Sequence, residues 1–208
     1  MKQRKGRTPE LTVGLDLGDR FSEICVIDGE GRSALEPLLR QIQEITETIQ
    51  RYDKEMERMS KARYPETRLL RQVSGVGPKT ALCFVLTIED PTRFDKSRMV
   101  GPYFGLVPRQ DDSGDRKRRG RITKCGDGMC RWLLVQSAHY ILGPFGPDCD
   151  LRRWGEQLME RDKGQGKRRA AVAVARKLSV LLHRLWITGE VYEPLHAAEQ
   201  QEAGNIAG

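Results

Sequence analysis

Between Leu39 and Met59 the apolar residues Leu39, Ile42, Ile45, Ile49, Tyr52, Met56 and Met59 recur at steps of three and four. That spacing lays one apolar stripe along a helix of about six turns, with Glu, Arg, Lys and Gln on the remaining faces. A strand has a period of two and cannot gather these residues on one side. The stretch 36–64 is therefore committed to a long helix, and Pro65 ends the pattern. The near-heptad spacing fits a coiled-coil-like arm or dimer seam, and it also fits a long amphipathic helix packed on its own domain.

The segments on either side follow different periods. Ahead of the helix, LTVGLDL at 11–17 reads as a buried strand and EICVI at 23–27 as a second, closed by the turn signal Asp28-Gly29-Glu30-Gly31. Behind it, a short apolar helix leads into Gly75-Val76-Gly77, and Pro78 opens another helix at a position where its missing N–H is not needed. A further short helix is expected at 95–104, then a polar, glycine-punctuated stretch at 109–126. Asp127 is placed to cap a helix over 128–142, which Gly143-Pro144 and Gly146-Pro147 stop. A charged helix is expected at 148–162, followed by a last helix at 167–188 with an apolar face of Val172, Ala175, Leu178, Leu182, Leu185 and Trp186. Trp132, Trp154 and Trp186 read as core rather than as platforms for stacking bases. The tail from Ala197 is small and polar and reads as disordered. The fold class is thus mainly α with a small β portion.

Lys and Arg total 36 against 29 Asp and Glu, a net charge of +7. Such a balance suits a polyanionic partner, DNA or RNA. No apolar run approaches the roughly 18 residues of a membrane span, and the basic start MKQRKGRTPE leads into an apolar run too short for a secretory signal. The five cysteines (Cys25, Cys83, Cys125, Cys130, Cys149) are scattered and odd in number, which suits a reducing cytoplasm. Cys125 and Cys130 are too far apart for a CxxC pair, and His139, His183 and His196 stand isolated, so no zinc centre is expected.

The densest chemistry lies between Arg109 and Arg131. Eight cations (Arg109, Arg116, Lys117, Arg118, Arg119, Arg121, Lys124, Arg131) surround Ser113-Gly114, with Asp111, Asp112, Asp115 and Asp127 interspersed. A serine beside glycine is sterically open, and guanidinium groups would hold a phosphodiester and stabilise charge developing on phosphorus. By composition alone, Asp-Asp-Ser-Gly-Asp is more often a plain turn. A second candidate is Asp16, a carboxylate in mid-strand beside Gly18, presented as a metal ligand might be or simply as a surface acid; two-metal chemistry needs several converging acids, and Asp19, Glu23 and Asp28 have no evident strand-end placement. Lys79, following the Gly-Val-Gly turn, suits a helix-hairpin-helix grip on phosphate or an ordinary helical corner. Lys167, Arg168 and Arg169, with Arg176, Lys177, Arg184, Arg152 and Arg153, form either a second phosphate-binding stripe or a solvated face.

Taken in order, VGLDLGDRFSEICVIDGEG, a long helical arm, LLRQVSGVGPKTA and FGLVPRQDDSGDRKRRGRITKCGDGMCRWLLVQSA resemble the insertion-sequence transposases that carry a RuvC-like DEDD domain followed by a serine domain, the bridge-RNA-guided recombinases. The resemblance covers roughly residues 65–190 at the C-terminal side and one hairpin at the N-terminal side. It implies that Ser113 is a nucleophile forming a covalent link to a DNA 5′ phosphate, that Asp16 is the first acid of the DEDD set and a metal ligand, and that the arm is a dimerising coiled coil. It further implies that the serine of one subunit meets the acidic site of another, and that a structured RNA specifies the DNA sequences.

The family's long stretch between the first hairpin and the arm, which holds the other three acids, has no counterpart here, because Gly31 runs almost directly to Glu36. Mg2+ is expected only if the acidic site is completed, and otherwise no cofactor. The expected organisation is a truncated RuvC-like remnant at 1–35, a coiled-coil arm at 36–64, a C-terminal serine domain with a helix-hairpin-helix-like element at 65–196 and a tail at 197–208. The expected function is that of a DNA transposase or recombinase, with DNA, a structured RNA and further copies of itself (dimer or tetramer) as partners and no membrane. A non-catalytic nucleic-acid-binding remnant and a helical interaction protein are the rival readings.

Overall fold

In the computed structural model the backbone is described for residues 12–17, 22–27, 29–113, 116–161 and 166–195, and side chains for 37–109, 120–161 and 166–195. The order is β1 (Thr12–Leu17), β2 (Ser22–Ile27), α1 (Gly29–Arg63), α2 (Thr67–Leu70), α3 (Pro78–Ile88), α4 (Val100–Tyr103), β3 (Pro108–Ser113), β4 (Arg116–Ile122), α5 (Gly128–Leu142), α6 (Asp150–Arg161) and α7 (Gly166–Thr188), with 3-10 turns at Pro91–Arg93 and Ser97–Met99. The chain divides into two compact units, Met1–Lys54 and Glu55–Gly208, and α1 contributes to both. The tail expected from Ala197 lies outside the described residues.

In the first unit β1 and β2 pair antiparallel, Thr12 opposite Ile27 and Leu17 opposite Ser22. The expected turn at Asp28-Gly29-Glu30-Gly31 does not end there, because α1 begins at Gly29 and runs through Pro37. Each residue added to an existing helix gains one backbone bond. Propagation from the periodic stretch thus outweighs the local turn preference and carries the helix start ahead of Glu36. Leu39, Ile42, Ile45, Ile49 and Tyr52 are each at least half exposed along this helix.

The second unit is a helical core built on α7, which buries Ala170, Ala171, Val174, Ala175, Leu178, Leu182 and Leu185. Phe84 and Ile88 of α3, Val100, Phe104, and Cys130, Leu134, Ala138 and Ile141 of α5 join the same cluster. Its buried His183, Ser60 and Thr67 side chains are partnered, whereas the Thr123 hydroxyl is buried without a hydrogen-bond partner. His183, fully buried, donates from Nε2 to the carbonyl of Pro91 at 2.9 Å, since a carbonyl only accepts, and its Nδ1 accepts from Ser97 Oγ at 3.0 Å. The Thr67 hydroxyl donates to Tyr64 O, so the buried Ser60 hydroxyl donates to Thr67 Oγ1 at 2.6 Å and ties the end of α1 to α2. Arg152 donates from Nη1 to the carbonyls of Ile141, Gly143 and Gly146 and closes the C-terminus of α5. No described helix is long and apolar enough to cross a membrane.

Two expectations change. Trp154 and Trp186 pack partly buried against the core, but Trp132 is 54% exposed. It stands on the side of α5 opposite Cys130, Leu134, Ala138 and Ile141, so the helical period turns it outward. The stretch 109–126 contains a two-stranded antiparallel sheet rather than an unbroken loop. Truncating Leu178, which is fully buried, to alanine is expected to lower stability by about 2–5 kcal/mol, read from the urea midpoint at unchanged slope.

Candidate nucleic-acid interface

The β3–β4 hairpin collects the densest charge. Its register sets Gln110 opposite Arg119, Asp111 opposite Arg118, Asp112 opposite Lys117 and Ser113 opposite Arg116. A composition typical of turns thus forms two strands, with two acidic positions opposite two basic ones. Pro108 has no N–H to give the ladder, and the register shifts by one residue between Pro108 and Gln110. By the two-residue period, positions 111, 113, 116 and 118 share one face of the ribbon. Ser113 therefore occupies the end of β3 next to cationic positions of β4. The side chains of residues 110–119 lie outside the described ones.

The root of the hairpin is held by backbone contacts that demand glycine. Thr123 N–H donates to Val107 O at 2.9 Å and Lys124 N–H to Gly105 O at 3.1 Å. Gly105 has φ +65, and a Cβ there would collide with the backbone of Cys125; Gly126 has φ +70, and a Cβ there would collide with Tyr103 O. Positive φ is open to glycine and strained for other residues; Lys124 bears it at φ 58 in the same turn. Asp127 accepts at Oδ1 from Cys130 N–H at 2.6 Å and caps α5 as expected. The motifs Gly-Leu-Val-Pro-Arg and Thr-Lys-Cys-Gly-Asp thus meet in space as one folded root beneath the basic ribbon.

The expected binding residues fall into distinct groups. Arg109, Arg121 and Lys124 are exposed around the hairpin, Lys79 is exposed on the first turn of α3, and Lys167, Arg168 and Arg169 are exposed on the first turn of α7. Arg131 uses Nη1 to hold Phe104 O at 3.1 Å and Cys125 O at 2.8 Å, so part of its guanidinium serves the root. The wider stripe on α6 and α7 is less uniform than its sequence suggests. Arg152 caps α5, Arg153 pairs with Asp148 at 2.7 Å, Lys177 lies over the Trp154 ring at 4.1 Å, and Arg184 pairs with Glu190 at 3.2 Å. The Gly75-Val76-Gly77 turn leans on α5: Gly75, φ +86, faces Ser137 O and the Tyr140 ring, and Val76 is buried. The helix before this turn, α2, has four residues, so the element is a turn and one long helix rather than two matched arms.

In the first unit, Asp16 stands directly opposite Glu23 in the β1–β2 ladder. Sequence reasoning left Glu23 without a role, because the register that pairs the two positions depends on the length of the connection. Like charges directly opposite are unfavourable in a sheet. Among the described residues no group of three or more His, Cys, Asp or Glu is placed to hold a metal ion.

Residues 67–147 match the family model described as Transposase IS116/IS110/IS902 family. The chain is 33% identical over 147 residues to the transposase for insertion sequence element IS1111A of Coxiella burnetii, covering 70% of this chain and 39% of the relative. It is 30% identical over 161 residues to a probable family 20 transposase of Pseudomonas aeruginosa, covering 76% and 47%. It is 32% identical over 119 residues to the transposase for insertion sequence element IS1328 of Yersinia enterocolitica, covering 57% and 34%. The chain spans less than half the length of these relatives.

The hairpin root lies inside the matched segment, and its glycines are open to a direct check. Gly105→Ala is expected to lower stability by about 2 kcal/mol or more through strain and collision. Limited proteolysis should then cut within 108–122 sooner than in the parent chain.

Proposed function

We propose that this chain, whose residues 67–147 match the family model described as Transposase IS116/IS110/IS902 family, binds DNA through the β3–β4 ribbon and cleaves it with Ser113 as nucleophile. The observation that carries the proposal is the register that sets Ser113 opposite Arg116, with Arg118 two positions farther along the same strand. Arg109, Arg116, Lys117, Arg118, Arg119, Arg121 and Lys124 neutralise the phosphodiester backbone, and Lys79 with Lys167, Arg168 and Arg169 extends the grip. The Ser113 hydroxyl oxygen attacks phosphorus, the bond from phosphorus to the 3′ oxygen breaks, and the 5′ phosphate stays on the serine. The hydroxyl proton passes to the departing 3′ oxygen, and cationic side chains stabilise the charge on the phosphoryl oxygens.

Asp16 is read as the first acid of a metal site, with Glu23 at the position opposite it in the ladder. Two carboxylates fall short of the set that a pair of magnesium ions requires, and Mg2+ would bind only where further acids complete that set. The exposed stripe of α1 supports self-association through the arm as a dimer or tetramer. A structured RNA as guide is part of the same reading. The four-residue α2 and the two-strand β1–β2 ladder give helix-hairpin-helix and RuvC-like labels only the support of local resemblance.

Incubation with DNA, magnesium and a full-length relative should give a covalent protein–DNA adduct that survives denaturing electrophoresis and disappears in Ser113→Ala. Retained adduct in that variant would refute the nucleophile. Salt-sensitive binding with no adduct under any condition would select the non-catalytic reading, its slope of log K against log salt reporting about 0.9 per phosphate contacted. Separately, Ile45→Asp combined with Ile49→Asp is expected to convert an oligomer to monomer in light scattering while leaving the thermal transition of the second unit unchanged.

A further inference from the structure

Helix α5 carries an apolar face that its own core does not use. Met129 is 61% exposed, Trp132 54% and Tyr140 47%, and with Gln136 they recur at steps of three, four and four along one side. The opposite side holds the buried Cys130, Leu134, Ala138 and Ile141. At 1.5 Å per residue the exposed stripe is about 16 Å long, roughly the length of five stacked nucleotides.

Charge around the stripe selects its occupant. From Gly128 to Leu142 the helix has no acidic residue. The turn feeding its N-terminus bears the exposed Lys124, with Arg121 just before it. At the other end the Tyr140 ring abuts Gly75, and α3 brings the exposed Lys79 close by, since Thr80 and Ser137 of the two helices meet at 3.5 Å. An apolar, partly aromatic surface with cations at both ends complements a polyanion that also offers flat apolar faces. Unpaired nucleic-acid bases have that character, whereas duplex DNA hides its base faces.

We propose that the Met129–Trp132–Tyr140 face of α5 is a stacking platform for unpaired bases of single-stranded nucleic acid, which rests on the DNA-binding reading above and extends it to a surface outside the basic ribbon. Trp132 supplies the largest ring and takes the first base, Tyr140 takes one farther along, and Lys124 and Lys79 track the phosphates on either side. The platform receives the strand that opens when a duplex is parted near the ribbon.

The test uses the whole chain, fluorescein-labelled (dT)20 and a 20-base-pair duplex at low salt. Trp132→Ala should weaken (dT)20 binding about 5- to 100-fold and leave duplex affinity within about twofold, whereas Trp132→Phe should keep single-strand affinity close to that of the parent. Unchanged melting temperature confirms that the exposed site was altered without unfolding. Parent-like (dT)20 affinity in Trp132→Ala, with duplex binding intact, overturns the platform and leaves the DNA-binding reading standing. Loss of a concentration-dependent dimer in Trp132→Ala without any change in (dT)20 affinity assigns the face to a second copy of the chain and likewise overturns it. No binding of either DNA by the parent overturns both readings together.

Discussion

Burial of one side of α7 is the interaction on which the second unit depends. Leu178, Leu182 and Leu185 sit on a single stripe with Val174 and three alanines, and all are buried. A stripe of this kind requires neighbours that present apolar faces of their own, and α3, α4 and α5 supply Phe84, Val100, Phe104, Leu134 and Ile141. The alanines let these neighbours approach closely. Removing water from this surface supplies most of the drive to fold, and the buried His183 is answered by Ser97 and Pro91.

The charged ribbon stands on that core through a root with little freedom. Gly105 and Gly126 adopt positive φ where a side chain would collide with backbone, and Arg131 ties two carbonyls on either side of the ribbon's base. In the ladder Asp111 stands opposite Arg118 and Asp112 opposite Lys117, so acidic positions of one strand meet basic positions of the other. Glycines that admit close backbone approach at the root and cations along the strands both fall between Gly105 and Arg131.

The first unit has a different economy. Its strands form one two-stranded ladder, and its helix leaves Leu39, Ile42, Ile45, Ile49 and Tyr52 in solvent. On α5 the exposed residues include the Trp132 and Tyr140 rings, and the helix carries no acidic residue.

Periodicity made the helices legible. The steps of three and four at 39–59 and the stripe ending at Leu185 and Trp186 read as helices because amphipathic burial leaves its period in the residue order. Capping was equally local: Asp127 and Pro78 mark helix starts through bonds made within one turn. What the residue order left open was every feature set by contacts distant along the chain. The pairing of Asp111 and Asp112 with Lys117 and Arg118, of Asp16 with Glu23, and of Gly105 with Cys125 follows from strand register and backbone approach, which no local preference encodes. Composition placed Trp132 in the core, and the packing of α5 against α3 and α7 turned it outward instead. The sequence by itself determined which segments are helical, where they are capped and where positive charge gathers; tertiary structure decided whether a side chain such as Trp132 met water and which strand positions stood opposite one another, because those outcomes depend on what packs against a segment rather than on the segment.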